Sequence, residues 1–119
     1  MGFKSFEELE VWKAARDFRN RITEISKLFP REEKYSLSDQ IIRASRSITA
    51  NIAEGFGRHH HQENIQFCRM ARGSLMETLD HIICAFDNSY ITEKQYIELR
   101  DHDNKILKLL NGYIAYLKK

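Results

Sequence analysis

Five arginines stand out among the ionisable side chains because no acid one helical turn away neutralises them. Arg16, Arg19, Arg46, Arg69 and Arg72 have no acidic residue three or four positions away, the spacings at which side chains meet on a helix. By contrast, Asp17 precedes Arg21, Asp39 precedes Arg43 and Glu54 precedes Arg58 by four, the favourable order for a local ion pair. An arginine without a local partner either pairs with a carboxylate on another element or awaits an anion. Five together point to phosphate, and Arg16, Arg19, Arg43, Arg46, Arg69 and Arg72 are the candidate nucleic-acid-binding set. The chemistry would be phosphate contact without base reading.

The other reactive side chains offer less. His59, His60 and His61 are consecutive, so they lack the i, i+4 spacing of a helical zinc pair, and no cysteine or acid is arranged to complete a site. A solvated loop that gains positive charge below about pH 6.5 is the simpler reading. Cys68 and Cys84 lie 16 positions apart on one predicted helix, roughly 24 Å at helical rise. That is beyond disulfide reach within one chain, and both are expected to be reduced. Asn51 and Glu54 form one notable polar pair. Glu54 sits in the last turn of its predicted helix, the unfavourable end for an acid, so both are assigned structural roles through a hydrogen bond or ion pair. No glycine-rich phosphate loop, nucleophile with base, or paired Glu and Glu-x-x-His set occurs. No catalytic residue, metal site or cofactor is predicted, and the chain is not expected to be an enzyme.

The elements that must position these residues are helices. Val11, Ala15, Phe18, Ile22, Ile25 and Phe29 recur at alternating spacings of four and three, one stripe of a helix at about 100° per residue. Ser5 with Glu8 forms a capping box ahead of it, and Pro30 stops it. Leu37, Ile41, Ala44, Ser45, Ile48 and Ile52 mark a second helix, capped by Ser36 or Ser38 and ended by Gly55 and Gly57. Cys68, Ala71, Leu75, Leu79, Ile82 and Phe86 mark a third. Leu99, His102, Ile106, Leu109, Leu110, Tyr113 and Leu117 mark a fourth, opened by the Thr92–Gln95 capping box. The predicted spans are about 6–29, 37–55, 63–87 and 93–118. Short links between amphipathic helices predict an all-α, antiparallel up-down-up-down four-helix bundle, one domain over 1–119.

At 119 residues one core is expected, and one proline and five glycines exclude a turn-rich β fold. No apolar run approaches the ~18 residues of a membrane span, so a cytoplasmic protein with no membrane contact is expected. Net charge is only +2, but residues 1–72 hold 13 Lys/Arg against 10 Asp/Glu and residues 73–119 hold 6 against 7. Off the core stripes lie Leu9, Trp12, Ala50, Ala53, Ile65, Met76 and Ile83. An aromatic beside arginines, or small residues on an outer face, fits a subunit contact. Trp12 equally fits the edge of the core, and alanine is simply a good helix former.

The segments Phe6–Glu7–Glu8–Leu9–Glu10–Val11–Trp12, Phe29–Pro30, Gln40–Ile41–Ile42–Arg43–Ala44, Ser47–Ile48, Asn51–Ile52–Ala53–Glu54–Gly55 and Ala71–Arg72–Gly73–Ser74–Leu75 resemble one bacterial family. It is the four-helix-bundle proteins encoded in intervening sequences of 23S ribosomal RNA genes, and the resemblance runs over essentially the whole chain. It implies a homopentameric ring of bundles without enzymatic activity. Relatives include the accessory variability determinant of diversity-generating retroelements, a basic pentamer that partners a reverse transcriptase and nucleic acid. The present chain is much less basic. Residues and resemblance together predict an oligomeric binding module that engages RNA or DNA, or a nucleic-acid-processing protein, through an arginine-lined surface. The alternative is a protein–protein adaptor or structural ring whose arginines serve subunit ion pairs.

Overall fold

The Ser5 capping box forms, but it closes a short 3-10 turn rather than an α-helix. Ser5 Oγ accepts from Glu7 N at 3.1 Å, and Glu8 Oε2 accepts from Ser5 N at 3.1 Å. The turn spans Phe6–Glu8, and Leu9 then takes an extended conformation, φ −72° and ψ 126°. Helix α1 therefore runs Glu10–Ser26, shorter at both ends than the apolar periodicity predicts. At its far end the backbone winds out through Leu28 N to Ile25 O and Phe29 N to Ser26 O, tighter bonds typical of a last turn ahead of proline. These features belong to a computed structural model, which describes residues 2–119.

Helix α2 spans Leu37–Gly57, α3 His61–Asp87 and α4 Glu93–Leu117. Glu33 caps α2 in place of the expected serine side chains, its Oε1 accepting from Leu37 N at 3.2 Å and from Ser36 Oγ at 2.6 Å. The Thr92–Gln95 box at α4 is formed in both directions. Gly55 and Gly57 do not end α2 by a left-handed turn. No glycine has positive φ, and the left-handed residue is His59 at φ 54°. Gly55 serves close approach instead. A Cβ there would stand 2.7 Å from Asn64 Oδ1 and 2.8 Å from Phe67 Cβ, so only glycine lets α2 and α3 come together at their link.

Each helix packs on its two neighbours in sequence around the bundle: α1 on α2, α2 on α3, α3 on α4, and α4 back on α1. The diagonal pairs α1–α3 and α2–α4 make no close backbone approach. Phe18, Ile22, Ile48, Ile52, Leu75 and Ile106 are fully buried at the centre, and the bundle measures 47 × 25 × 19 Å. The α1–α2 flank and the α3–α4 flank therefore lie on opposite sides. No helix is long and apolar enough to cross a membrane.

Three residues expected on an outer surface are inside. Leu9 is 2% exposed. Its helical-wheel angle does not apply, because the extended backbone at Leu9 turns the side chain into the core. Trp12 is 8% exposed, the edge-of-core alternative, with Phe6 packed edge-on against it at 5.1 Å. Ile65 is also buried, at the α3–α4 seam. None of the three has appreciable surface for a second subunit. Ala50 and Met76 are exposed, and Ala53 and Ile83 half-buried.

Candidate nucleic-acid interface

The α1–α2 flank carries a groove of about 650 Å³. Trp12, Asn20 and Thr23 line it from α1, and Thr49, Ala50 and Ala53 from α2. Arg19 and Arg46 both line it, as does Glu24. The small alanines keep the floor low, and the serial 3-4 spacing Arg46–Thr49–Ala50–Ala53 keeps these side chains on one face of α2. Arg43, one turn before Arg46, belongs to the same outward face.

Three of the four arginines of this flank have side-chain partners. Arg19 Nη1 donates to Thr49 Oγ1 at 2.8 Å, and Thr49 Oγ1 in turn donates to Arg46 O at 3.0 Å. The Arg16 and Arg19 guanidinium carbons lie 5.3 and 5.9 Å from the Trp12 ring centre. Cation–π contact of this kind adds about 0.5–1 kcal/mol at an exposed site. Arg16 also reaches Asp17 at 3.6 Å, and Arg43 reaches Asp39 at 3.7 Å. Among the described residues, Arg19 and Arg46 form no ion pair. Neutral groups orient Arg19 without cancelling its charge, which leaves it available to an anion.

Arg69 and Arg72 are not part of this surface. Arg72 Nη1 donates to Asn111 Oδ1 on α4 at 2.8 Å, and Arg69 lines a separate groove with Ile65 and Lys118. Both belong to the α3–α4 flank, on the far side of the bundle. The six arginines thus divide four to two, a separation that needs the order of helices around the bundle. Two local ion pairs expected from spacing are present, Arg43–Asp39 and Arg58–Glu54 at 3.3 Å. The third is replaced: Arg21 pairs across helices with Glu98 at 2.8 Å, leaving Asp17 to Arg16.

Asn51 and Glu54 both have polar partners. Asn51 Nδ2 donates to Ser47 O at 2.9 Å and to Ser47 Oγ at 3.0 Å, and Ser74 Oγ donates to that same Ser47 Oγ at 2.8 Å. This ties α2 to α3. Glu54 is exposed and engaged by Arg58. The three histidines lie around the α2–α3 link with Phe56, Tyr113 and Tyr116. Among the described residues no three His, Cys, Asp or Glu side chains stand together as a metal site. Cys68 is buried, and desolvation pushes its thiol up to about 11 despite the nearby Arg72 charge. His102 packs on Phe18 at 5.0 Å, and burial lowers its pKa.

One ionisable residue was not anticipated. Asp103 is 2% exposed, and its Oδ2 has no hydrogen-bond partner. Desolvation raises its pKa to about 7, opposed by the charge of Arg100. The signal was in the sequence: Leu99, Asp103, Ile106 and Leu110 follow the core stripe of α4, so an acid occupies a core position.

The family of the chain follows from comparison with known proteins. The family model for the 23S rRNA-intervening sequence protein matches residues 7–112. The chain belongs to this family. A solved structure of a protein of unknown function from the S23 ribosomal protein family of Bacteroides thetaiotaomicron VPI-5482 is similar to it at 30% identity. The match covers 87% of this chain and 97% of that one, with a TM-score of 0.80. None of the curated proteins matches. The intervening-sequence protein family thus supplies a fold and no activity, and the α1–α2 flank must be argued from its own chemistry.

Proposed function

We propose that this intervening-sequence protein is a non-enzymatic, self-associating binding module. It engages RNA or DNA, or a protein that processes them, through the α1–α2 flank. The carrying observation is the groove lined by both Arg19 and Arg46, neither of which forms an ion pair among the described residues although Glu24 shares the lining, beside Arg16 stacked on Trp12. Arg19, oriented by the neutral Thr49, suits phosphate, because its guanidinium fork is preset and its charge is not already spent on an acid. Contact with the phosphate backbone is the expected mode, the uncancelled arginine charge being what the groove offers an anion. By resemblance, the assembly is a homopentamer, and a cytoplasmic location fits the lack of a membrane-spanning helix.

The test is a titration of labelled structured RNA and duplex DNA at low and physiological salt. Binding that weakens steeply with salt is expected. Changing Arg16 and Arg46 together to Ala lowers the slope by up to about two phosphate contacts. No binding even at low salt overturns the reading in favour of a protein–protein adaptor. Ala50 and Ala53 on the groove floor favour that second reading, since small residues let another helix lie close. Dissociation of the assembly in 1 M NaCl would assign the arginines to subunit ion pairs.

A further inference from the structure

Asp103 is the unexplained group of this molecule. A carboxylate in a core stripe costs several kcal/mol unless it is neutralised or given donors, and Oδ2 has none. It is not sealed, however. Asp103 lines a groove of about 350 Å³ on the α3–α4 flank, walled by Met76 and Leu79 of α3 and by Asp101, Asn104 and Leu107 of α4. Such a site fits a guanidinium, whose apolar stem would lie on Met76 and Leu107 while its N–H groups reach the acid.

The nearest arginine on the same chain does not fill it. Arg100 lines the groove, but its Nη1 donates to Tyr96 O–H at 2.8 Å, and it forms no ion pair with Asp103. The flank nevertheless carries two arginines without a carboxylate. Arg72 is held only by the neutral Asn111, and Arg69 forms no ion pair among the described residues. Met76, 41% exposed, lies between them and Asp103. Along α3, Arg72 is four residues to one side of Met76, roughly 6 Å, and Leu79 beside Asp103 is three to the other, roughly 4.5 Å. The same face therefore holds unpaired cations and an unpaired acid at nearly equal distances from an exposed apolar residue.

We propose that the α3–α4 flank is a self-complementary interface in which a second copy, related by a two-fold axis near Met76, places its Arg72 against Asp103 and receives the same contact in return. Arg69 and Asp101 extend the pairing at its rim. A two-fold contact closes on one pair of chains and does not by itself build a five-membered ring. The inference rests on the self-association in the reading above and leaves the α1–α2 arginines free.

Sedimentation velocity over a concentration series at pH 8 tests it on the full chain. Pairing is expected, weakened at least ten-fold by Asp103→Asn and by Arg72→Glu, with unchanged helix content by circular dichroism. Asp103→Asn also removes a buried charge from the isolated chain, so weaker pairing with a more stable monomer separates a lost contact from a damaged fold. Met76→Cys in a Cys84→Ser background, changing two exposed positions, should give a covalent dimer on oxidation. Unchanged association in Asp103→Asn, or no covalent dimer from Met76→Cys, overturns the proposal. The nucleic-acid reading fails separately, in the titration with the Arg16 and Arg46 variants, which this interface does not touch.

Discussion

The two opposite flanks of the bundle carry unbalanced charge in different ways. On the α1–α2 flank the excess is positive and near water, and Arg19 rests against Thr49 and Trp12. On the α3–α4 flank the excess includes a negative charge sunk into the core at Asp103. An unpaired charge in solvent costs little, whereas one in the interior is expensive. The first arrangement stays stable while it waits for a ligand. The second is relieved only by a proton or a donor.

The largest effect expected on this contrast is at Trp12, the apolar anchor of the arginine flank. Trp12→Ala should lower unfolding free energy by about 3–5 kcal/mol in urea titrations, while Met76→Ala, exposed on the other flank, should stay within about 0.5 kcal/mol. Equal losses would mean that Met76 is packed as tightly as Trp12.

Asp103 comes next. Its folded pKa, raised to about 7, means the folded chain holds a proton that the unfolded chain releases near pH 4. Its contribution therefore lowers stability as pH rises from about 4 to about 7, by up to about 4 kcal/mol, and is flat above. His102 works the other way. Its pKa is depressed by burial, so its contribution is lost as pH falls. Comparing Asp103→Asn with the parent in dilute solution isolates the acid. The variant should lack the downward slope and be more stable by about 2 kcal/mol at pH 8, an unsatisfied amide costing less than a buried charge. A parallel pH profile would place Asp103 in contact with water.

A smaller test concerns the arginines themselves. If the flanks are distinct, Arg16→Ala with Arg46→Ala changes the salt dependence of polyanion binding, and Arg69→Ala with Arg72→Ala leaves it unaltered. Equal changes would join the six arginines into one surface, through assembly. The smallest effect is at Thr49. Thr49→Val removes the acceptor for Arg19 and should cost about 0.5–1.5 kcal/mol in thermal unfolding.

Much of this was legible in the chain. Apolar spacing locates all four helices, the Thr92–Gln95 spacing gives the capping box that forms, and the arginines without local acids follow from the three- and four-residue spacings. The departures have two causes: rules for one helix do not see the next, and a wheel assumes the helix has already begun. Arg21 prefers Glu98 across α1 and α4 over Asp17 on its own helix. Leu9 leaves the wheel because a 3-10 turn precedes it. The division of the arginines depends on which helices are neighbours, which no local spacing encodes. Asp103 differs, because the stripe at 99, 103, 106 and 110 announced it.

Gly55 has a consequence for how the bundle opens. Its missing Cβ lets α2 and α3 meet at the start of a three-residue link, and the Ser47–Ser74 bond ties them again further along. The two helices should behave as one cooperative unit in hydrogen exchange, their central amides exchanging only through complete unfolding. Gly55→Ala would wedge that unit apart at one end, and deuterium would then enter α2 and α3 near the link before the rest of the core gives way.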